Sequence, residues 1–384
     1  MDKITLTATT RFGLEGIVKN ELSILGYKKL SVSDGKIDIE ATFDDVPRLN
    51  LWLRCAERIF LKFGEFQVSS FDELFENTKA LPWEHVIPQN GKFAVVGTSV
   101  KSKLQSVRSC QSIIKKAVVD RLKDKYDTES LPEAGPEYTI HFALVKDTVT
   151  LAIDTSGTGL HKRGYRKVGG EAPLKETLAA GLVLLSSWGK GKKYELLVDP
   201  MCGSGTIPIE AAMIARNIAP GLKRGFAAEK WPVIKDSAWK EARLHAYDVI
   251  SFEQIQQISG YDIDGTSIQT CKTNAAIAGV ENNILFEQKD IKDLWIDRQF
   301  GTVITNPPYG KRMSEMRDLN ELYRTINSIF KKKDGWSIFI LTADSMFPKY
   351  FKRSRPDRVR KLYNGTIKVN YYQYLALKKP PAEK

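Results

Sequence analysis

The chain has 384 residues, enough for two or three domains with a large buried core. Apolar residues make up 42% and charged residues 27%, which excludes disordered, collagenous and coiled-coil classes. The formal net charge is +12, which serves solubility and also suits a polyanionic partner such as nucleic acid.

No run of eighteen apolar residues exists, so no membrane span is expected. The opening MDKITLTATTRFGLEG lacks the apolar core of a signal peptide. Cys55, Cys110, Cys202 and Cys271 are widely spaced, which argues against a disulfide framework or zinc site and for a cytoplasmic protein with reduced thiols. With four histidines in the chain, no metal centre is expected.

In chain order, ITLTATT reads as a strand and GLEGIVKNELSILGY as a helix with Leu14, Ile17, Val18, Leu22 and Leu25 at helical spacing. The strand KIDIEAT and the helix DVPRLNLWLRC complete a small α+β unit. From about residue 64, FDELFENTKAL reads as a helix, FAVVGTSV as a strand and SVRSCQSIIKKAVVDRLKDKY as a long amphipathic helix. Its outer lysines are a solvated face or an RNA contact. YTIHFALVKDTVTLAIDTSG reads as a hairpin turning at Lys146-Asp147. From about 165, the apolar segments YELLVDP, ISGYDID, ILFEQKD, GTVITNPPY and GWSIFILTAD alternate with helices, which predicts a parallel sheet covered on both faces. KLYNGTIKVNYYQYLAL then predicts an antiparallel hairpin turning at Asn364-Gly365.

The chemistry concentrates in the parallel half. In LLVDPMCGSGTIPIEAAMIA a strand ends in Asp199, and the turn Cys202-Gly203-Ser204-Gly205 leads into a helix near Thr206. Glycines allow close backbone approach to a ligand, and a helix start offers free N–H groups. Pro208 stands where a dinucleotide fingerprint has its third glycine. Asp199 is placed to hold the cationic amino end of a ligand, and the pattern points to S-adenosylmethionine (SAM). After the next strand, Asp262 is the candidate for the ribose hydroxyls. Asp264 is either a second cofactor contact or a helix N-cap. Asp290 follows the third strand, where it can meet an adenine amino group.

VITNPPYG places two successive prolines after an apolar strand. The Asn306 side-chain carbonyl and the Pro307 main-chain carbonyl, with Pro308 fixing the turn, can accept both protons of an exocyclic amine. Tyr309 can stack on the base.

These segments resemble class I SAM-dependent methyltransferases of the amino-methylating type, with their [DNS]PP[YFW] motif. Across essentially the whole chain, the sequence resembles the THUMP-domain RNA methyltransferases. It is nearest to the guanine-N2 methyltransferases of bacterial large-subunit rRNA, in particular the N-terminal half of the fused two-methyltransferase enzyme of that family. The matching segments are TATTRFGLEGIVKNEL, DTSGTGLHKRGYRKVGGEAPLKETLAA, DPMCGSGT, GYDID, NPPYG and RKLYNGTI. The resemblance implies a ferredoxin-like subdomain over 1–62, a THUMP RNA-binding domain over 63–160, and a Rossmann-like methyltransferase domain over 165–384 ending in the hairpin. It implies cofactor roles for Asp199, Gly203, Gly205 and Asp262, and a catalytic role for Asn306–Tyr309. No second methyltransferase domain follows Lys384, so that half's activity is not expected here.

Around Tyr165, the residues Lys162, Arg163, Arg166 and Lys167 suit phosphate and base contacts, or else a linker. FKRSRPDRVRK, residues 351–361, holds six basic residues and the single acid Asp357. Phe226, Trp231 and Trp239, in the segment that follows the glycine-loop helix, are either a cover for the target base or local core. Cys202 is read as structural. The expected reaction is SAM-dependent methylation of an exocyclic amine in RNA, with guanine N2 of 23S rRNA as the foremost target. The base must leave its stack to reach the site. A tRNA guanine-N2 or DNA adenine-N6 methyltransferase would share the NPPY turn; the N-terminal architecture argues against DNA. A non-catalytic ribosome-assembly factor that retains SAM only structurally is the alternative of a different class. A single methyl-transfer assay separates it.

Overall fold

The computed structural model describes residues 3–166, 174–186, 188–189, 196–252, 257–308 and 313–377, the last without the side chains of 313–318. The chain forms two compact units. One gathers the chain up to Thr10, Glu21–Leu160 and Arg224–His245; the other gathers Arg11–Asn20, His161–Lys223 and the chain from Ala246 onward.

The N-terminal half runs β1 (Ile4–Thr10), α1 (Glu15–Ile24), β2 (Leu30–Ser33), β3 (Lys36–Ala41), α2 (Asp45–Trp52), β4 (Ala56–Gln67), α3 (Phe71–Ala80), β5 (Lys92–Val100), α4 (Val107–Tyr126), β6 (Glu137–Val145) and β7 (Thr148–Asp154). Its strands form one sheet in the order β2-β3-β1-β4-β7-β6-β5. The α4 face of Cys110, Ile114, Ala117, Val118 and Leu122 is buried, as the helical spacing predicts. Lys146 and Asp147 both have positive φ, 51° and 64°, the backbone that a two-residue hairpin loop of type I′ requires. The strand β4 escapes the sequence pattern. Its first part pairs with β1 and its later part with β7, so the subdomain boundary expected at 62/63 falls inside a continuous strand.

The second half runs α5 (Glu176–Leu185), β8 (Leu197–Asp199), α6 (Thr206–Ala215), α7 (Asp236–Asp248), β9 (Ile258–Asp262), α8 (Gly265–Ala278), β10 (Ile284–Gln288), β11 (Phe300–Thr305), α9 (Met313–Phe330), β12 (Gly335–Thr342), α10 (Phe347–Tyr350), β13 (Arg358–Asn364) and β14 (Ile367–Tyr374). The sheet order is β10-β9-β8-β11-β12-β14-β13. The strands β8 to β12 are parallel, while β14 is antiparallel to both β12 and β13. This is the expected Rossmann-like sheet with its terminal hairpin. Every residue of β12 is buried, as suits a strand covered on both faces. Its core includes Val198, Val303, Trp336, Ile338 and Ile340, with Tyr323, Ile326 and Phe330 from α9.

Three local details differ from the sequence reading. The hairpin pairs Asn364 with Ile367, so its loop is Gly365-Thr366, one residue later than expected. Gly365 has φ +64°, and glycine at the first loop position is the type II′ pattern. The segment Arg11–Asn20, read as part of the N-terminal domain, belongs to the catalytic unit. Gly13 has φ +93°, and a Cβ there would come within 2.8 Å of both Leu362 Cδ2 and the Lys361 carbonyl. Conversely, Phe226, Trp231 and Trp239 serve the N-terminal unit. Trp231 stacks on Tyr138 at 4.8 Å and Phe226 on Trp239 at 5.4 Å, all four buried. These aromatics are local core, not a cover for a base.

Candidate active site

Parallel strands deliver their last residues to one edge of the sheet, where ligands bind in such folds. Here β8 ends in Asp199, β9 in Asp262 and β11 in Thr305, with Asn306 next in the chain. β8 lies between β9 and β11, so the glycine loop is flanked by the ribose candidate on one side and the Asn-Pro-Pro turn on the other.

Asp199 is 2% exposed. Its Oδ1 accepts from Thr305 Oγ1 at 2.7 Å and from Met201 N at 3.3 Å. Burial pushes its carboxyl up to about 7, opposed by the Thr305 and Met201 hydrogen bonds. A carboxyl in that state gains from an adjacent cation, which would restore its charge.

The loop after Asp199 is fastened from two elements. Cys202 N donates to Tyr261 O at 2.8 Å, and Gly203 N to Asp262 Oδ2 at 2.8 Å. From α8, Cys271 Sγ donates to Gly203 O at 3.0 Å and Asn274 Nδ2 to Ser204 O at 3.2 Å. Gly203 and Gly205 have φ of +53° and +80°, which favours glycine at both. A Cβ on Gly203 would meet nothing within 4 Å, whereas one on Gly205 would crowd Cys271 Sγ and Phe286 Cζ at 3.1 Å. The loop is thus packed behind and open in front. Thr206, the first residue of α6, is buried and lies 3.3 Å from Ser204 Oγ through its hydroxyl. Cys202 and Cys271 are both reduced, with sulfurs 3.7 Å apart. The Cys271 contact and burial raise the Cys202 thiol well above its ordinary range, the state of an inert structural cysteine.

Asp262 also accepts from Asp264 N at 3.0 Å. Asp264 caps α8, accepting from Thr266 N, Ser267 N and Ser267 Oγ at 3.0, 3.1 and 2.8 Å. Those bonds hold its carboxyl below the usual range. Asp264 thus serves as the N-cap of α8, one of its two readings. Asp290 caps the short turn Ile291–Asp293 by accepting from Lys292 N at 2.9 Å, and it is half-buried beside the end of β10. Asn306 is half-buried, Pro307 buried and Pro308 exposed. Tyr309 and Lys167 lie outside the described residues.

The basic segment ahead of α5 corrects the sequence reading. Arg163 and Tyr165 are 3% and 2% exposed. Arg163 Nε lies 3.4 Å and Tyr165 OH 3.1 Å from Glu210 Oε1 on α6. Arg166 Nε lies 3.3 Å from Glu176 Oε1 on α5, and its Nη2 donates to Leu174 O and Thr206 Oγ1. Buried charges need partners, and these guanidinium groups have theirs inside the protein. They brace α5 and α6, not RNA phosphates; Lys162 remains exposed. Of the basic segment 351–361, Arg358–Lys361 lie in β13.

Sequence reasoning missed Thr305, Cys271 and Asn274. Thr305 is adjacent to the Asn-Pro-Pro turn, on a strand beside β8. Cys271 and Asn274 share one buried helix face at i, i+3. Among the described residues, no helix is long and apolar enough to cross a membrane.

Comparison with known proteins accords with this architecture. Residues 163–373 match the family described as "RMKL-like, methyltransferase domain", residues 5–60 the "RlmL ferredoxin-like domain" and residues 68–154 the "THUMP domain". YpsC of Bacillus subtilis (strain 168), named as an RNA methyltransferase, is 44% identical over 100% of this chain and 99% of its own. The ribosomal RNA large subunit methyltransferase K/L of Syntrophotalea carbinolica (strain DSM 2380 / NBRC 103641 / GraBd1) is 34% identical over 97% of this chain and 53% of its own length. The crystal structure of SMU.472, described as a methyltransferase complexed with SAH, has a TM-score of 0.92 at 39% identity and covers 100% of both chains. The chain belongs to the RMKL-like methyltransferase family, with ferredoxin-like and THUMP domains ahead of its methyltransferase domain.

Proposed function

We propose that this SAM-dependent RNA methyltransferase acts on the exocyclic N2 of guanine in large-subunit rRNA. The residues present fit the cofactor. Asp199, a buried carboxyl, is assigned to the methionyl ammonium, Asp262 to the ribose and Asp290 to the adenine amino group. Gly203 leaves the front of the loop open. Cys202, Ser204, Gly205 and Thr206 shape the loop around it. SAM supplies an activated methyl group; the chain's own work is to position the acceptor and exclude alternatives.

At the acceptor turn, the Asn306 side-chain carbonyl and the Pro307 main-chain carbonyl accept hydrogen bonds from the substrate amine. Those bonds localise a nitrogen lone pair otherwise delocalised into the base and stabilise the positive charge that develops on it. The prolines fix the carbonyl directions, and Tyr309 stacks on the base. Alignment of nitrogen and methyl at about 3–3.5 Å supplies much of the remaining acceleration. Lys162 and the THUMP domain are assigned to holding RNA.

The observation that carries this reading is the Asp199–Thr305 bond, which ties the cofactor loop to the strand that presents Asn306. The 34% identity to an rRNA large subunit methyltransferase K/L supports the choice of RNA class. The test is transfer of labelled methyl from SAM to three purified pools from cells lacking the enzyme: large-subunit rRNA, tRNA and DNA. The reading expects label in large-subunit rRNA. Label in tRNA alone moves the substrate assignment, and label in none of them refutes it.

A further inference from the structure

We propose that the tip of the β13–β14 hairpin, with Phe12 packed against it, is a second RNA contact, holding single-stranded nucleotides that flank the target base. This rests on the reading of RNA as substrate and adds a site within the catalytic unit itself.

The register fixes where the tip stands. Thr305 pairs with Ile340 of β12, and Ile340 with Tyr372 of β14. Asn306 is therefore level with Tyr371. Lys368, three residues before Tyr371 in antiparallel β14, rises about 10 Å beyond that level, at the sheet edge that carries the Asn-Pro-Pro turn. Three strand spacings separate β11 from β13, or about 14 Å. The hairpin thus forms a wall beside the acceptor turn.

One face of that wall has the chemistry of a single-strand platform. Lys361 and Tyr363 alternate onto the same face of β13, and Lys368 pairs directly opposite Tyr363. The other face carries buried Leu362, Val369 and Tyr371. Lys361 Nζ lies 5.7 Å from the Tyr363 ring centre. Phe12 is 49% exposed and meets the Tyr363 ring edge-on at 6.2 Å. Arg11 Nη1 donates to Gly365 O at 3.4 Å, which joins this segment to the hairpin turn. Neither Lys361 nor Lys368 has an ion-pair partner among the described residues. From Arg358 to Tyr374 the hairpin carries exposed Arg358, Lys361 and Lys368 and no acid, Asp357 being the residue before it. Asp357 is itself engaged, accepting from Leu375 N at 2.8 Å. A charge run alone is ordinarily a solvated face. Here Lys361 and Lys368 stand beside an aromatic pair, Phe12 exposed and Tyr363 half-buried, at the reactive end of the sheet, the combination that stacks bases while cations hold phosphates.

The test uses the full chain and large-subunit rRNA from cells lacking the enzyme. Lys361→Ala/Lys368→Ala is expected to raise KM for RNA about tenfold, leaving kcat and SAM affinity unchanged. The salt dependence of RNA binding should fall by about 1.4 in log–log slope, for two lost phosphate contacts on a single strand. Phe12→Ala should raise KM about tenfold with no change in slope, since stacking carries no counterion release. Lys361→Arg/Lys368→Arg should restore wild-type KM, which a merely structural role of the lysines does not predict. If the alanine variants match wild type in KM and slope while wild type methylates the RNA, the hairpin contact is refuted and the enzyme reading stands. If wild type transfers no methyl to RNA, both fall together.

Discussion

Thr305 donates its hydroxyl to Asp199 across 2.7 Å, joining the last residues of two neighbouring parallel strands. Both are buried. One bond thereby fixes the carboxyl proposed for the cofactor's ammonium and the strand end from which the proposed acceptor turn departs. Thr305→Val keeps the shape and removes the donor. Met201 N remains on the same oxygen, so the loss is that of one buried hydrogen bond, about 0.5–1.5 kcal/mol, and the Asp199 carboxyl should rise further because the lost bond opposes burial. Denaturant unfolding should show that loss of stability, and calorimetry a matching loss of SAM affinity.

The raised Asp199 carboxyl gives SAM binding a pH dependence. The folded apo protein holds this proton up to about pH 7, while an unfolded aspartate loses it near 3.8. The folded state therefore binds more protons between those values, and this group's contribution to apo stability is lost as pH rises through 7. A cationic ligand has the opposite preference and expels the proton. SAM affinity should rise by up to about tenfold per pH unit between 6 and 7 and then level off. Asp199→Asn should bind weakly and without that dependence. A flat wild-type profile over this range would show that the ammonium lies elsewhere.

Asn306→Ala should keep SAM affinity and lose about 10²–10³ in single-turnover rate, as for other lost transition-state contacts. Weakened SAM binding with an unchanged rate at saturation would reverse the assignment.

Asp262→Ala should weaken SAM and S-adenosylhomocysteine alike, by roughly tenfold or more, since the ribose is common to both. The substitution also frees Gly203 N from its 2.8 Å bond. Gly203 N is held by the Asp262 side chain, so Asp262→Asn, which keeps an acceptor, should recover part of the affinity.

Gly13→Ala tests the fold. It combines a φ of +93° with a Cβ 2.8 Å from Leu362 and the Lys361 carbonyl. The expected cost is about 1–3 kcal/mol, read as a lower melting temperature. Removal of residues 1–20 should destabilise the catalytic unit, because Leu14 packs within 2.8 Å of the Cβ position of Gly181.

The parallel half was legible because its signals are local. Apolar strands ending in Asp199 and Asp262, glycines at 203 and 205, and the prolines after Asn306 each announce themselves within a few residues. β4 was not, because AERIFLKFGEFQ mixes charged and apolar residues without a clean alternation. Arg163 and Arg166 misled because their partners, Glu210 and Glu176, lie on other elements. A basic cluster in sequence looks the same whether its charges meet solvent or buried carboxylates. The placement of Arg11–Asn20 and Arg224–His245 is likewise tertiary: short segments whose local pattern says nothing about which core they join.

The most direct test of the central claim is the identity of the modified nucleoside. Large-subunit rRNA from cells lacking the enzyme is incubated with SAM and the full chain, digested, and analysed by mass spectrometry beside an Asn306→Ala control. The account predicts N2-methylguanosine at one position with wild type and its loss with the variant. Methyl groups on adenine N6 or on a ring nitrogen, or equal product from both proteins, would contradict it.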